Sequence, residues 1–191
     1  MATKNIMIVG VGGQGTLLAS KLLGAVLLDM GYDVKVSEVH GMSQRGGSVV
    51  TYVRFGEKVY SPIIDKGEAD IILSFELLEA ARWLEYLKDG GQMIINTQKM
   101  EPMPVIIGDA KYPENITAKL EEKGAKVDAL DFLKIANEAG SSKAVNIALM
   151  GRLSNYFKEI PDEVWDRVME KTVPAKFLDL NKKAFLAGKK A

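Results

Sequence analysis

One short string limits what this chain can fold into more than any other: Gly10-Val11-Gly12-Gly13-Gln14-Gly15. It follows Asn5–Gly10 (NIMIVG), an apolar run that reads as a short buried strand. It opens Gln14–Met30, a stretch apolar on nearly every face through Leu17, Leu18, Leu22, Leu23, Val26 and Leu27. A helix apolar all round is a buried helix, and Gly31 stands where a C-terminal cap belongs. Val34–Val39 is a second strand. A strand–turn–helix–strand unit of about 30 residues marks a parallel sheet covered by helices.

The remaining pattern extends that sheet. Ser48–Phe55 is β-rich and alternating; with Gly56-Glu57-Lys58 as a turn and Val59-Tyr60 returning, it reads as an antiparallel hairpin. Ala69–Ser74 is a buried strand, Glu76–Leu87 an amphipathic helix ended by Asp89-Gly90-Gly91, and Gln92–Asn96 another strand. Met100–Pro104 holds two prolines and reads as loop, with a short strand at Val105–Gly108. A helix at Glu114–Lys123, a strand at Lys126–Leu130 and a helix at Asp131–Ala139 follow. The last third is helical: Lys143–Phe157 spaces Ile147, Met150, Leu153 and Phe157 at threes and fours, and Pro161 and Pro174 each open a further helix. The expected fold is α/β: a Rossmann-like, three-layer, open and mostly parallel sheet with an antiparallel hairpin. One domain spans residues 1–191, with a helical C-terminal extension over about 143–191.

Composition excludes several function classes. The 191 residues carry 25 basic and 25 acidic side chains, so no general attraction to nucleic acid or to an anionic membrane is expected. No apolar run reaches the ~20 residues that span a bilayer, and the N-terminus leads straight into a strand without a signal-peptide core, so a cytoplasmic location is expected. There is no cysteine, hence no disulfide, thiol nucleophile or cysteine-ligated iron–sulfur cluster on this chain. The lone histidine, His40, and the carboxylate spacings suggest no metal site.

The glycine turn matches the G-x-G-x-x-G pattern between a strand and a helix, where helix N–H groups and the positive dipole end face an anion. Glu38, near the end of the second strand, stands about where a dinucleotide site puts its ribose-binding acid. A tight turn without a ligand is the plainer alternative. A second segment, His40-Gly41-Met42-Ser43-Gln44-Arg45-Gly46-Gly47-Ser48, follows that strand. If both segments leave the carboxyl ends of adjacent strands, they share the face where such folds place their sites. Its guanidinium, imidazole, hydroxyls and flexible backbone suit a phosphate, a carboxylate or a partner's acidic loop. The plainer reading is a polar loop feeding the next strand. The candidate contact residues are therefore Gly12, Gly13, Gln14, Gly15, His40, Ser43, Gln44, Arg45, Gly46 and Gly47, with no catalytic residue assigned. Asn146, inside an apolar helix, suits a backbone partner better than a ligand. The lysine-rich last helix, with Phe177, Leu178, Phe185 and Leu186, is either a solvated face or a docking arm.

Taken together, residues 10–16 (GVGGQGT), 38–49 (EVHGMSQRGGSV) and 53–56 (VRFG) resemble the gamma-type domain of 2-oxoacid:ferredoxin oxidoreductases. Tyr60–Ile64, Gly67–Asp70 and Phe75–Trp83 agree, over about the first hundred residues and more loosely beyond. Within that family the chain is nearest the indolepyruvate branch, whose substrates are arylpyruvates. The resemblance implies an obligate subunit that is inactive alone. Thiamine diphosphate, Mg and 4Fe-4S clusters would sit on a large alpha subunit; ferredoxin and coenzyme A would act at the level of the complex. It also implies that residues 12–15 and 40–47 contact that subunit or a ligand. The missing cysteines agree, as does Gly108-Asp109-Ala110, which breaks the Gly-Asp-Gly expected of a thiamine site. Alternatives are a gamma subunit for pyruvate, ketoisovalerate or 2-oxoglutarate, a stand-alone dinucleotide-binding enzyme, and a non-catalytic scaffold.

Overall fold

The computed structural model describes residues 3–41 and 46–191, so Ser43, Gln44 and Arg45 of the second glycine segment lie outside the described residues. Six strands form one sheet: β1 Lys4–Val11, β2 Asp33–His40, β3 Ser48–Gly56, β4 Ala69–Ser74, β5 Leu87–Asn96 and β6 Lys126–Leu130. Their order is β2-β3-β1-β4-β5-β6. β1, β4, β5 and β6 run parallel, and β3 alone is antiparallel to both its neighbours.

Helices cover both faces, giving three layers. On one face lie α1 Thr16–Asp29, α5 Phe132–Ala139, α6 Val145–Ser154, α7 Asp162–Thr172 and α8 Leu178–Lys190; their side chains share a core with Ile6, Ile8, Val53, Phe55, Leu73 and Ile94. On the other, α2 Leu77–Arg82 and α4 Ile116–Glu122 pack on Met7, Val9, Tyr52, Ile72, Met93 and Ile95. Burial on both faces explains the nearly continuous apolar runs of the central strands. The C-terminal helices are tied in by a chain of rings, Tyr32–Phe55–Phe157–Trp165–Phe185, with centroids 5.3, 5.9, 6.4 and 5.5 Å apart. Two lysines of α8 pair with α7, Lys182 with Glu170 at 2.7 Å and Lys189 with Asp162.

Four expectations are corrected. The antiparallel hairpin is β2 with β3, joined through residues 41–47, and Val59-Tyr60 is not a strand. Instead the Val59 amide donates to the Asp33 carboxylate at 2.9 Å and Tyr60 stands in solvent. Consequently β1 and β2 are not adjacent, because β3 lies between them. The helix expected to Leu87 stops at Arg82 and a 3-10 turn leads into β5. Asp89-Gly90-Gly91 then sit in a bulge of that strand, where Ala69 pairs Leu87 but Ile71 pairs Gln92. Finally, Val105–Gly108 is no strand: α3 Met103–Ile106 forms there, since a proline at the first turn of a helix lacks only an N–H that would have no partner anyway. Among the described residues no helix is long and apolar enough to cross a membrane.

Candidate functional site

The site begins where β1 runs out. The Val11 amide donates to Gln14 Oε1 at 2.8 Å, and Gln14 Nε2 donates to the Phe75 carbonyl at 3.1 Å, so this one side chain plugs the turn and pins it to the end of β4. Gly10 must be glycine, since a Cβ there would come within 2.9 Å of both Gln14 Oε1 and Phe75 Cβ. Gly15 takes a left-handed conformation (φ 87°) and opens α1 without a side-chain cap, leaving that helix end for other acceptors. Its carbonyl accepts from Asn146 Nδ2 at 3.4 Å, the backbone partner expected for that buried amide.

The two glycine segments meet through backbone. The Gly12 amide donates to the Gly47 carbonyl at 2.9 Å, and the Gly46 amide donates to the Gly12 carbonyl at 3.3 Å. These bonds prolong the β1–β3 ladder beyond Val11↔Ser48. The expected convergence is therefore present, although the strands are not adjacent: β3 itself carries the second segment back to the first.

A cleft of about 380 Å³ opens beside this bridge, with Gly12, Gly13, Gly15 and Thr16 on one side and Glu38 and His40 on the other. Glu38 accepts from the Thr51 hydroxyl at 3.3 Å, and His40 Nδ1 lies 3.1 Å from its neighbour's carbonyl oxygen at Gly41. In a dinucleotide fold the ribose-binding acid ends the strand next to β1. Here β3 intervenes, which moves Glu38 to roughly 10 Å laterally at two strand spacings and gives the cleft a different shape.

A second cleft, about 250 Å³, lies on the far side of the bridge between Gly46–Ser48 and α2. Behind it stand two buried carboxylates that sequence reasoning assigned no role. Glu76, 1% exposed, caps α2 by accepting from the Glu79 amide at 2.8 Å, and also accepts from the Met100 amide at 3.0 Å and from the Tyr112 hydroxyl. Burial, then the bond to Glu76, pushes the Tyr112 hydroxyl far above its ordinary range. Glu79, 4% exposed, accepts from the Ser48 hydroxyl and from Trp83 Nε1 at 3.3 Å, with Arg82 Nε at 3.4 Å. The available signal was their setting: two acids three apart among Phe75, Leu77, Leu78, Ala80 and Ala81. Among the described residues no group of three His, Asp or Glu side chains is arranged to hold a metal.

Burial raises the Glu79 carboxyl above its ordinary 4.5, outweighing the bonds to Ser48 and Trp83 and the charge of Arg82; the nearby Glu76 charge adds to the rise. A folded value above the unfolded one means the native state binds the proton more tightly. The stability it contributes is full below pH 4.5 and is lost as pH rises through the raised folded value. In urea melts taken upward from pH 4.5, Glu79→Gln should therefore show a flatter decline than the unsubstituted chain.

The family model described as pyruvate ferredoxin/flavodoxin oxidoreductase matches residues 5–191. The indolepyruvate oxidoreductase subunit IorB of Thermococcus kodakarensis is 46% identical over 195 residues, covering 100% of this chain and 96% of its own length. The pyruvate/ketoisovalerate oxidoreductases common subunit gamma of the same organism is 27% identical, covering 76% and 73% respectively. The crystal structure of pyruvate oxidoreductase subunit PORC from Thermotoga maritima superposes with a TM-score of 0.76 at 20% identity, covering 100% of this chain and 97% of that one. The three-layer, mostly parallel fold is thus shared with a solved subunit of this kind.

Proposed function

The chain belongs to the pyruvate ferredoxin/flavodoxin oxidoreductase family, and from that premise we propose that it is the small subunit of an indolepyruvate (arylpyruvate) ferredoxin oxidoreductase. The observation that carries this reading is 46% identity, end to end, to a subunit named for indolepyruvate, against 27% over three quarters of the chain for one named for pyruvate and ketoisovalerate. The overall reaction converts an arylpyruvate and coenzyme A into an aryl-acyl-CoA and carbon dioxide; the thiol proton is released and two electrons leave to ferredoxin.

Thiamine diphosphate supplies the carbanion chemistry of such a decarboxylation and iron–sulfur clusters carry the electrons. This chain's donor set does not fit either group. It has no cysteine for a cluster, and Gly108-Asp109-Ala110 lies in the turn after α3 without a second glycine. Both groups, with Mg, are accordingly assigned to a large partner subunit, and no chemical step is assigned to a residue here.

What this chain offers is a face. Gly13 leaves open space at the N-terminus of α1, where a Cβ would meet nothing within 4 Å, and the Gly46–Gly47 backbone is bridged to Gly12 beside it. Residues 12–15 and 40–47, including Ser43, Gln44 and Arg45, are the proposed contact with the large subunit or with a ligand held between the two. That contact would close off the reacting centre from water.

The test is reconstitution. Mixed with the large chain and coenzyme A, this protein should raise indolepyruvate-dependent reduction of a viologen dye by at least about a hundredfold, as expected where an obligate subunit completes a site. Phenylpyruvate should also serve, and pyruvate and 2-oxoglutarate poorly. An unchanged rate rejects the subunit assignment; a preference for pyruvate moves the chain to another substrate branch. Calorimetric titration with NAD, NADP and FAD should give no saturable heat.

A further inference from the structure

Glycine-rich backbone does not hold a position by itself. Gly46 and Gly47 bring little side-chain packing and much conformational freedom, yet their backbone is fixed closely enough to exchange two hydrogen bonds with Gly12. The residue that follows them, Ser48, has a side chain able to anchor them, and its hydroxyl donates to Glu79. Glu79 lies on α2, a helix packed against β1, β4 and β5, so the anchor is tied to the centre of the sheet. Its carboxylate also accepts from Trp83 and faces Arg82 on the same helix, which holds it in one orientation.

A buried carboxylate is an expensive choice for a structural tie, because its charge must be desolvated. An apolar side chain at this place in α2 would pack without that cost, but it could not receive the Ser48 hydroxyl. The neighbouring Glu76 takes the same role for the following loop through Met100 and Tyr112. One short helix thus presents two buried acids to two different loops, and only Glu79 reaches the glycine bridge.

We infer that Glu79 is the positioning residue of the glycine bridge: from α2 it holds Ser48, and through Ser48 it sets where the Gly46–Gly47 backbone meets Gly12. It touches no reacting atom. Its consequence for catalysis rests on the reading that this face meets a large subunit, but the positioning role itself does not.

Amide hydrogen exchange on the full chain tests it. In Glu79→Ala the Gly12 and Gly46 amides, the two donors of the bridge, should exchange at least about tenfold faster, as expected when a local opening loses a tie worth ~1.4 kcal/mol. The amides of Ile8 and Ile72 in the central strands should keep their protection. Ser48→Ala, a milder change for folding, should reproduce the effect. Glu79→Gln, whose amide oxygen still accepts from Ser48, should restore exchange to near the unsubstituted rate. Unchanged exchange at Gly12 and Gly46 in both Glu79→Ala and Ser48→Ala overturns the inference. So does an equal acceleration that includes Ile8 and Ile72, which would make Glu79 a general structural residue. Affinity for the large chain is read separately. If the bridge loosens and affinity does not fall, the positioning role stands and the contact face fails.

Discussion

Gly188→Ala should destabilise the protein by about 3 kcal/mol, the upper part of the range for overpacked sites, and lower its melting temperature by roughly 6–12 °C for a chain of this size. The reason is the crossing of α6 and α8. A Cβ on Gly188 would lie 1.9 Å from the Ala148 carbonyl oxygen, and one on Gly151 would lie 2.0 Å from the Phe185 carbonyl oxygen. In both cases the obstacle is backbone of the facing helix, which cannot rotate away as a side chain can. Alanine would gain about 1 kcal/mol of helix propensity over glycine, so the net loss understates the clash by that amount. Gly24→Ala in α1 is the control. Its Cβ would meet only Val36 Cγ2, at an ordinary 3.6 Å, so the same propensity gain should appear as a neutral or slightly stabilising change. Urea unfolding of the two variants separates them. A Gly188→Ala chain as stable as the unsubstituted one would mean that α8 is not seated on α6.

That crossing also marks where sequence reasoning stops. The periodicity of Ile147, Met150, Leu153 and Phe157 shows that α6 faces a core, and Pro174 announces another helix. Neither says that two glycines 37 positions apart, 151 and 188, let the backbones touch. The lysines of α8 fitted a docking arm as well as a solvated face; the structure adds that Lys182 and Lys189 pair with Glu170 and Asp162 and that Ala184 and Phe185 are buried, while Phe177 and Leu186 stay exposed.

The sheet was legible for a local reason and misread for a non-local one. Strands β1 and β4 are apolar runs between breakers, and β2 and β6 are mixed segments with apolar residues spaced by polar ones, patterns written within a few residues of each strand. Strand order depends on contacts distant in sequence, and nothing local in residues 33–56 distinguishes β3 paired to β2 and β1 from β3 paired to Val59-Tyr60. The same holds at the site. The glycines announce themselves, because turns and left-handed conformations leave few other choices. Glu79 does not, since what makes it matter is Ser48, 31 positions away.

Gly13→Asn should weaken binding to the large subunit about a hundredfold, close to 2.7 kcal/mol at ~1.36 kcal/mol per decade, while changing the stability of the isolated chain by no more than ~1 kcal/mol. Gly13 and Gly15 are both left-handed, at φ 104° and 87°, but their surroundings differ. A Cβ on Gly15 would meet Asn146 Nδ2 at 2.7 Å, so the space beside it is filled by this chain's own core. A Cβ on Gly13 would meet nothing within 4 Å. Asparagine is the substitution of choice because it tolerates the left-handed region better than other side chains, which leaves occupancy of open space as the main change. Gly15→Ala should show the reverse. Strain of ~1–2 kcal/mol and displacement of the Asn146 amide should appear in the stability of the isolated chain. Part of that loss should disappear in the Asn146→Ala background, where a double-mutant cycle isolates the contact. The informative quantity is the contrast between the two glycines. If Gly13→Asn binds the large subunit as tightly as the unsubstituted chain, the turn is not part of the contact. Its glycines would then serve only the bridge to Gly46–Gly47 and the packing of α1 on α6.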